Sequence, residues 1–205
     1  MRHVQAARGT AITSPGDAGP IERRRFRLLV AVVAVAGLTA DLVTKIVAVN
    51  QLEPLASVRL LGGLVTLRLI RNPGAAFSQG QRFTYVFAIA GIIVLAFVII
   101  KLVPRIGHPA WAVAIGLLCA GVAGNLIDRL FRPPGVLRGH VIDFLELPHW
   151  PIFNVADMCI TAAAILIMFL SIVRGISITG QRHGQPGQPD TGDDDDHNRS
   201  SIVRG

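Results

Sequence analysis

Four apolar stretches within 205 residues constrain this chain more than any other feature. They run from Leu28 to Val49, Thr84 to Val103, Ala110 to Ile127 and Val155 to Val173. Each is near the roughly 20 residues with which a helix crosses the hydrocarbon core of a bilayer. Apolar residues cover every face of each stretch instead of one stripe, which sets them apart from the helices of a soluble core. With 51% hydrophobic residues and only 16% charged ones, the composition points the same way. The expected fold is an all-α membrane protein of four transmembrane helices, with a small extracytoplasmic β-hairpin or sheet and loop region. The first stretch follows the basic run Arg23-Arg24-Arg25-Phe26-Arg27, as a cleavable leader would. It is long, lacks a small-x-small cleavage site and carries Asp41 and Lys45 near its far end, so it reads as a retained helix.

The flanks have a different character. Residues 1–26 are basic and rich in Gly, Pro and Ala, and residues 176–205 contain GQRHGQPGQPDTGDDDD; both are expected to be disordered cytoplasmic tails around a membrane domain at 27–175. Six arginines precede the first span, Lys101 and Arg105 lie between the second and third, and four arginines follow the fourth. An even number of spans puts these groups on one side, the cytoplasm, which leaves the loops 50–83 and 128–154 facing outward. Five of the thirteen acids sit in the last sixteen residues, so the membrane part is more basic than the formal charge of +7 suggests. A basic rim suits anionic lipid headgroups and calls for no nucleic acid. Cys119 and Cys159 both fall inside spans and suggest neither a disulfide nor a metal site.

In the first outer loop, VTLRLI alternates like a short strand, with Gly62-Gly63 as a turn before it and Asn72-Pro73-Gly74 as another after it. In the second, Pro133-Pro134-Gly135 marks a turn ahead of the stretch GHVIDFLELPHWPIFNVADM.

The polar groups that a lipid-facing helix should not carry are Asp41, Lys45, Asn72, Asn125, Asp128, Arg129, Asp143, Asn154 and Asp157. All fall at the outer span ends or in the outer loops, and ionisable groups at membrane depth mark functional sites by default. Asp41 and Lys45 are four apart and share a helix face, where they can neutralise each other. Asp128 and Arg129 are adjacent, point differently and need partners elsewhere. Pairing that ties helix ends together accounts for these four without catalysis, and Asn125 and Asn154 suit caps or irregular backbone. Asp143 and Asp157 stand apart because no basic residue adjoins either. Two carboxylates sharing a low-dielectric pocket cannot both ionise. One then keeps a proton to hydrogen-bond a carbonyl oxygen while the other takes a proton from water, an arrangement that hydrolyses a peptide. On the residues alone, a catalytic dyad and a set of packing charges both remain open. No GxSxG, HExxH or P-loop offers a competing set, and His140 and His149 lack metal-site spacing.

The series Asp41-Leu-Val-Thr44-Lys45, RNPGAAFS at 71–78, GNLIDR at 124–129, GHVIDF at 139–144 and FNVAD at 153–157 resembles the bacterial lipoprotein signal peptidase family, signal peptidase II. All five blocks stand in the family's order, and the resemblance covers residues 28–173. It implies an intramembrane aspartyl endopeptidase of the bacterial cell membrane. Such an enzyme cleaves diacylglyceryl-modified prolipoproteins just before the lipidated cysteine, with a dyad at Asp143 and Asp157. Asp41, Lys45, Asn72, Gly74, Asn125, Asp128, Arg129, Asn154 and Ala156 match the positions that shape the site and hold substrate. The resemblance further implies inhibition by cyclic peptides of the globomycin type and no metal or organic cofactor. Small residues in GLLCAGVAG and ADMCITAAA would let helices pack closely or admit a substrate helix, and the RNPGAAF segment is expected to close over the bound peptide. A monomer is expected, since one chain holds all five blocks. A small proton-coupled transporter is the alternative of another class. It calls for acids near the bilayer midplane and an inverted repeat, neither of which the sequence offers. A non-catalytic scaffold is a third reading, in which neutralising the two aspartates harms only the fold.

Overall fold

A computed structural model describes residues 20–52, 57–74 and 80–180. Four helices long and apolar enough to cross a membrane occupy Ile21–Gln51, Thr84–Arg105, Pro109–Phe131 and Val155–Val173. Helix α1 is Pro20–Gln51. Helix α2, Gly80–Phe97, runs on through a π-turn at Val98–Leu102 and a 3-10 turn at Val103–Arg105. Helix α3 is Pro109–Phe131, and α4 is Val155–Met168, extended by a π-turn at Phe169–Val173. In α3, 56% of the apolar window is buried, against 11% in α1 and α2 and 22% in α4. Helix α3 is therefore the central helix and the other three turn most of their apolar surface to lipid.

Close packing around α3 rests on small residues, as the sequence suggested. A Cβ on Gly121 would stand 2.4 Å from the Ala156 carbonyl oxygen, and one on Gly124 would stand 2.4 Å from Asp41 Oδ2. These glycines bring α1, α3 and α4 together where the ionisable groups lie. Cys119 and Cys159 are buried and free.

The outer segments form a three-stranded antiparallel sheet of β1 (Val58–Leu60), β2 (Val65–Asn72) and β3 (Val141–Glu146), in that order. Gly62 and Gly63 both take positive φ in the turn between β1 and β2, conformations open to glycine at little cost. Strand β2 is the VTLRLI segment read from its alternation. Strand β3 is the GHVIDF block, and it pairs Ile70 with Asp143 and Thr66 with Glu146 across an irregularity between Leu67 and Ile70. After β3 the chain doubles back, bridging Leu145 to Phe153, and enters α4. The turn at Pro133-Pro134-Gly135 falls where the sequence places it.

Two boundaries differ from expectation. Residues 20–26, read by composition as part of a disordered tail, are the first turns of α1. Pro20 opens the helix, a position at which proline sacrifices no hydrogen bond, and the arginines that follow are good helix formers. Residues 176–180, read as part of the other tail, dock on the turn before α3. Ile176 is buried, Trp111 Nε1 donates to its carbonyl at 3.1 Å, and Gly107 N donates to Ile178 O at 3.0 Å. Two isoleucines in a polar, glycine-rich run were enough to tie the segment down. The rest of both tails, 1–19 and 181–205, and residues 75–79 of the RNPGAAF segment lie outside the described residues.

Candidate active site

The sheet and the helix ends converge on one polar cluster at one end of the helix bundle. It is built from the C-terminal halves of α1 and α3, the ends of β2 and β3, and the N-terminus of α4.

Its base is a buried cation. Lys45 is fully buried; its ammonium donates to Asn125 Oδ1 at 3.2 Å and forms ion pairs with Asp41 Oδ2 at 2.8 Å and Asp128 Oδ2 at 2.9 Å. The Asp41–Lys45 pair is the one its helical spacing implied; the second carboxylate comes from α3. Each aspartate also accepts a backbone N–H. Ala156 N reaches Asp41 Oδ1 at 2.8 Å, and Ile142 N reaches Asp128 Oδ2 at 3.2 Å. The other Asp128 oxygen accepts from Arg132 Nε. The charge cluster thus anchors the first turn of α4 and the start of β3. Gly139 permits this, because a Cβ there would stand 2.1 Å from Asp128 O.

Above the cluster stand Asp143 and Asp157. Asp143 Oδ2 accepts from Asn72 Nδ2 at 2.7 Å and its Oδ1 accepts from Asn154 Nδ2 at 2.6 Å. Asp157 Oδ1 accepts from Asn125 Nδ2 at 2.8 Å and its Oδ2 from Asn154 N at 3.2 Å. Asn154 is the N-cap of α4, and its Oδ1 accepts from Asp157 N at 3.0 Å to complete a capping box. One side chain, Asn154, therefore links both aspartates. Every amide is oriented by a group that can only donate: Lys45 faces the oxygen of Asn125, Gly74 N that of Asn72 at 2.8 Å, and Asp157 N that of Asn154. All three asparagines must then turn their NH₂ groups to a carboxylate or another amide oxygen.

The two aspartates differ in surroundings. Asp143 is 2% exposed, whereas Asp157 is only partly buried. Burial holds the Asp143 carboxyl up at about 6, against 3.8 for a free aspartate. The Asn72 amide opposes that shift, the charge of Asp157 adds to it, and the Asn154 amide and Lys45 oppose it. Asp157 occupies the third position of α4, where backbone N–H groups and the helix dipole favour negative charge.

Of the eleven residues singled out from sequence, Asp41, Lys45, Asn72, Asn125, Asp128, Asn154 and Asp143 with Asp157 form one connected network. Gly74 and Ala156 enter it through backbone N–H groups, Gly74 with φ of +114°. Arg129 touches it at the edge, donating to Asn125 O at 3.3 Å with its guanidinium 5.6 Å from the Phe87 ring centre. Asn125 caps no helix; it bridges Lys45 to Asp157. Sequence reasoning passed over Arg132, although it lies four residues from Asp128 on the same helix. It also passed over Thr84, buried at the start of α2 with its hydroxyl donating to Pro73 O at 2.7 Å. That contact had no local signal. Among the described residues, no group of three or more His, Cys, Asp or Glu is arranged to hold a metal ion.

Comparison with known proteins gives a consistent result. Residues 33–173 match the family described as signal peptidase (SPase) II. Proteins named lipoprotein signal peptidase are similar along most of their length. One from Rhodococcus jostii (strain RHA1) is 44% identical over 169 residues, covering 80% of this chain and 82% of its own. One from Mycobacterium tuberculosis (strain ATCC 25618 / H37Rv) is 44% identical over 181 residues, covering 85% and 88%. One from Mycobacterium avium (strain 104) is 46% identical over 165 residues, covering 80% and 87%. Two solved structures described as bacterial membrane enzymes superpose with TM-scores of 0.62 and 0.59. They are 30% and 27% identical, and the match covers 70% and 77% of this chain and 92% and 93% of theirs.

Proposed function

Because the chain belongs to the signal peptidase II family, multi-pass membrane peptidases of the aspartic type, we propose that Asp143 and Asp157 are its catalytic dyad. In this reading the dyad removes signal peptides from diacylglyceryl-modified prolipoproteins by cutting before the lipidated cysteine. The observation that carries the reading is the link through Asn154. Its side-chain amide donates to the Asp143 carboxylate and its backbone N–H donates to the Asp157 carboxylate, so one residue ties together two acids on converging elements, one deeply buried and the other partly open.

The difference in burial suggests the division of labour. Asp143 carries the shared proton and donates it to the scissile carbonyl oxygen. Asp157 takes a proton from water as the water oxygen bonds to the carbonyl carbon. The resulting gem-diol collapses as Asp157 passes its proton to the leaving nitrogen and the C–N bond breaks. Asp143 recovers its proton from a gem-diol hydroxyl, leaving a carboxylic acid on the signal peptide and a free amine on the lipidated cysteine. Asn72, Asn125 and Asn154 hold the two acids in register, while Asp41, Lys45, Asp128 and Arg129 fix the elements beneath them. Gly74 and Ala156 shape the backbone on which Asn72 and the start of α4 rest.

The site gathers at the end of the helix bundle opposite the basic residues Arg23, Arg24, Arg25, Arg27, Lys101, Arg105 and Arg174. This supports cytoplasmic termini and an active site near the outer face. Acyl chains anchor a lipidated cysteine at that depth, which places the scissile bond within reach of acids set there. We take the working unit to be a monomer in contact with bilayer lipid, and cyclic peptides of the globomycin type to compete for the dyad.

The test is cleavage by the reconstituted full chain of a synthetic prolipoprotein with and without the diacylglyceryl group, read by mass spectrometry. The lipidated precursor should yield a product beginning at the modified cysteine, with the unmodified one cut at least about a hundredfold more slowly. Equal cleavage of both, or a cut elsewhere, contradicts the assignment.

A pH dependence follows from Asp143. Its folded carboxyl binds a proton more tightly than the unfolded chain does, so folding stability declines as pH rises from about 4 to about 6 and is level above. Activity needs the same proton. kcat/KM should fall about tenfold per pH unit above about 6. Asn72→Ala removes a donor that favours the charged form, so it should move that limb to higher pH. A profile that is level between pH 5 and 8 would rule out Asp143 as the proton carrier.

A further inference from the structure

The sheet holds a second polar recess, on the side away from the aspartates. It is a cavity of about 620 Å³, lined among others by Arg59, Thr66, Arg68, Glu146, His149 and Trp150, within the size range of small-molecule sites. Arg59 pairs across the sheet with Thr66, and Thr66 with Glu146, so these three form one row over all three strands. Glu146 lies three positions beyond Asp143 on β3, and strand alternation turns the two carboxylates to opposite faces.

The recess has more cation than it uses internally. Arg68 Nη2 donates to Glu146 Oε1 at 3.1 Å, yet its Nε is buried with no hydrogen-bond partner. Arg59 makes no ion pair among the described residues. Among the described residues, two guanidinium groups therefore line the recess with one carboxylate, and Thr66 and His149 line it beside them. Guanidinium N–H groups in a partly enclosed recess suit a phosphate, whose oxygens they can engage in pairs.

The rim indicates where the phosphate comes from. Trp150, which lines the recess, is 65% exposed, and the β1–β2 turn, which lines it through Gly63, exposes Leu61 at 79% and Leu64 beyond the end of β1, where Leu60 is also exposed. Leucines presented on a turn beside an exposed indole are the residues that settle at the boundary between headgroups and acyl chains. We infer that this cavity binds the phosphate of an anionic phospholipid headgroup. Arg59 and Arg68 hold the phosphate, and the Leu60–Leu64 turn and Trp150 rest in the lipid around it. The lipid then fixes the sheet, and with it β3, against the bilayer surface.

The test uses the full chain in a neutral detergent, with thermal unfolding followed during titration by short-chain phosphatidylglycerol, short-chain phosphatidylcholine, inorganic phosphate or a short acidic peptide. Phosphatidylglycerol should raise the Tm at concentrations where phosphatidylcholine, whose ammonium offsets its phosphate, does not. Arg59→Gln should weaken that response at least about tenfold, as loss of a charge-assisted pair does. Glu146→Gln, which removes the opposing charge, should strengthen it, and a variant that merely folds badly cannot do so. Equal stabilisation by inorganic phosphate would assign the recess to the free ion and overturn the lipid source. No response to phosphatidylglycerol, a response unchanged in Arg59→Gln, or a response to the acidic peptide alone would overturn the site.

Discussion

Asp143→Asn and Asp157→Asn should each reduce cleavage by at least about a thousandfold while leaving the protein folded, because neither amide can complete the proton relay. The fold should tolerate the changes. Asn at 143 removes a carboxylate from a site where charge is costly, and it keeps one oxygen as acceptor for either Asn72 or Asn154. The other amide then meets an NH₂ group, a mismatch of about 1–3 kcal/mol that relief of desolvation partly offsets. At 157 the amide oxygen can keep the capping-box bond from Asn154 N while its NH₂ faces the Asn125 amide, a mismatch of similar size, and the helix dipole adds a loss of a few tenths of a kcal/mol. Cleavage rate and thermal unfolding measured on the same preparations separate chemistry from stability. A variant that cleaves at near wild-type rate would remove its aspartate from the dyad.

The largest stability effect belongs to Lys45→Met. It strips the ammonium from Asp41 and Asp128, two buried carboxylates whose one other ion pair among the described residues is that of Asp128 with Arg132. Leaving buried charges uncompensated costs about 3–5 kcal/mol. The damage spreads to the site because Asp41 holds the first turn of α4 and Asp128 holds the start of β3, the elements that carry the two catalytic candidates. Thermal unfolding in detergent should show a steep loss in Lys45→Met. Adding Asp41→Asn and Asp128→Asn should restore much of it, since neutral groups need no counter-charge. A single variant as stable as wild type would mean that the cluster contributes little.

How much of this was legible in the sequence depended on whether a signal was local. The four spans follow from hydropathy alone, and the Asp41–Lys45 pair from its spacing on one helix. Strand β2 declared itself by alternation, but β3 did not. Val141, Ile142, Asp143 and Phe144 are all buried, so the strand lacks an alternating pattern and holds a charge in its middle. The contacts that turn separate polar residues into a site are long-range. Asn72 meets Asp143 across 71 positions, and Ala156 meets Asp41 across 115. Periodicity carries no information at such separations, so the sequence order of five short blocks had to stand in for it. Residues 20–26 and 176–180 were misread for the opposite reason. Composition described the tails as a whole, whereas Pro20 and the pair Ile176 and Ile178 act singly.

Whether the two carboxylates act as one catalytic unit is decided by a single-turnover cycle. Cleavage of the diacylglyceryl-modified precursor would be timed with the wild type, Asp143→Asn, Asp157→Asn and the double variant, with Asp128→Asn alongside. If the pair is one unit, both single variants and the double variant fall to the same background rate, because groups that act together are not additive. Asp128→Asn should lose stability along with activity. A double variant slower than each single by the product of their separate effects, or a folded Asp128→Asn as inactive as the dyad variants, would contradict the account.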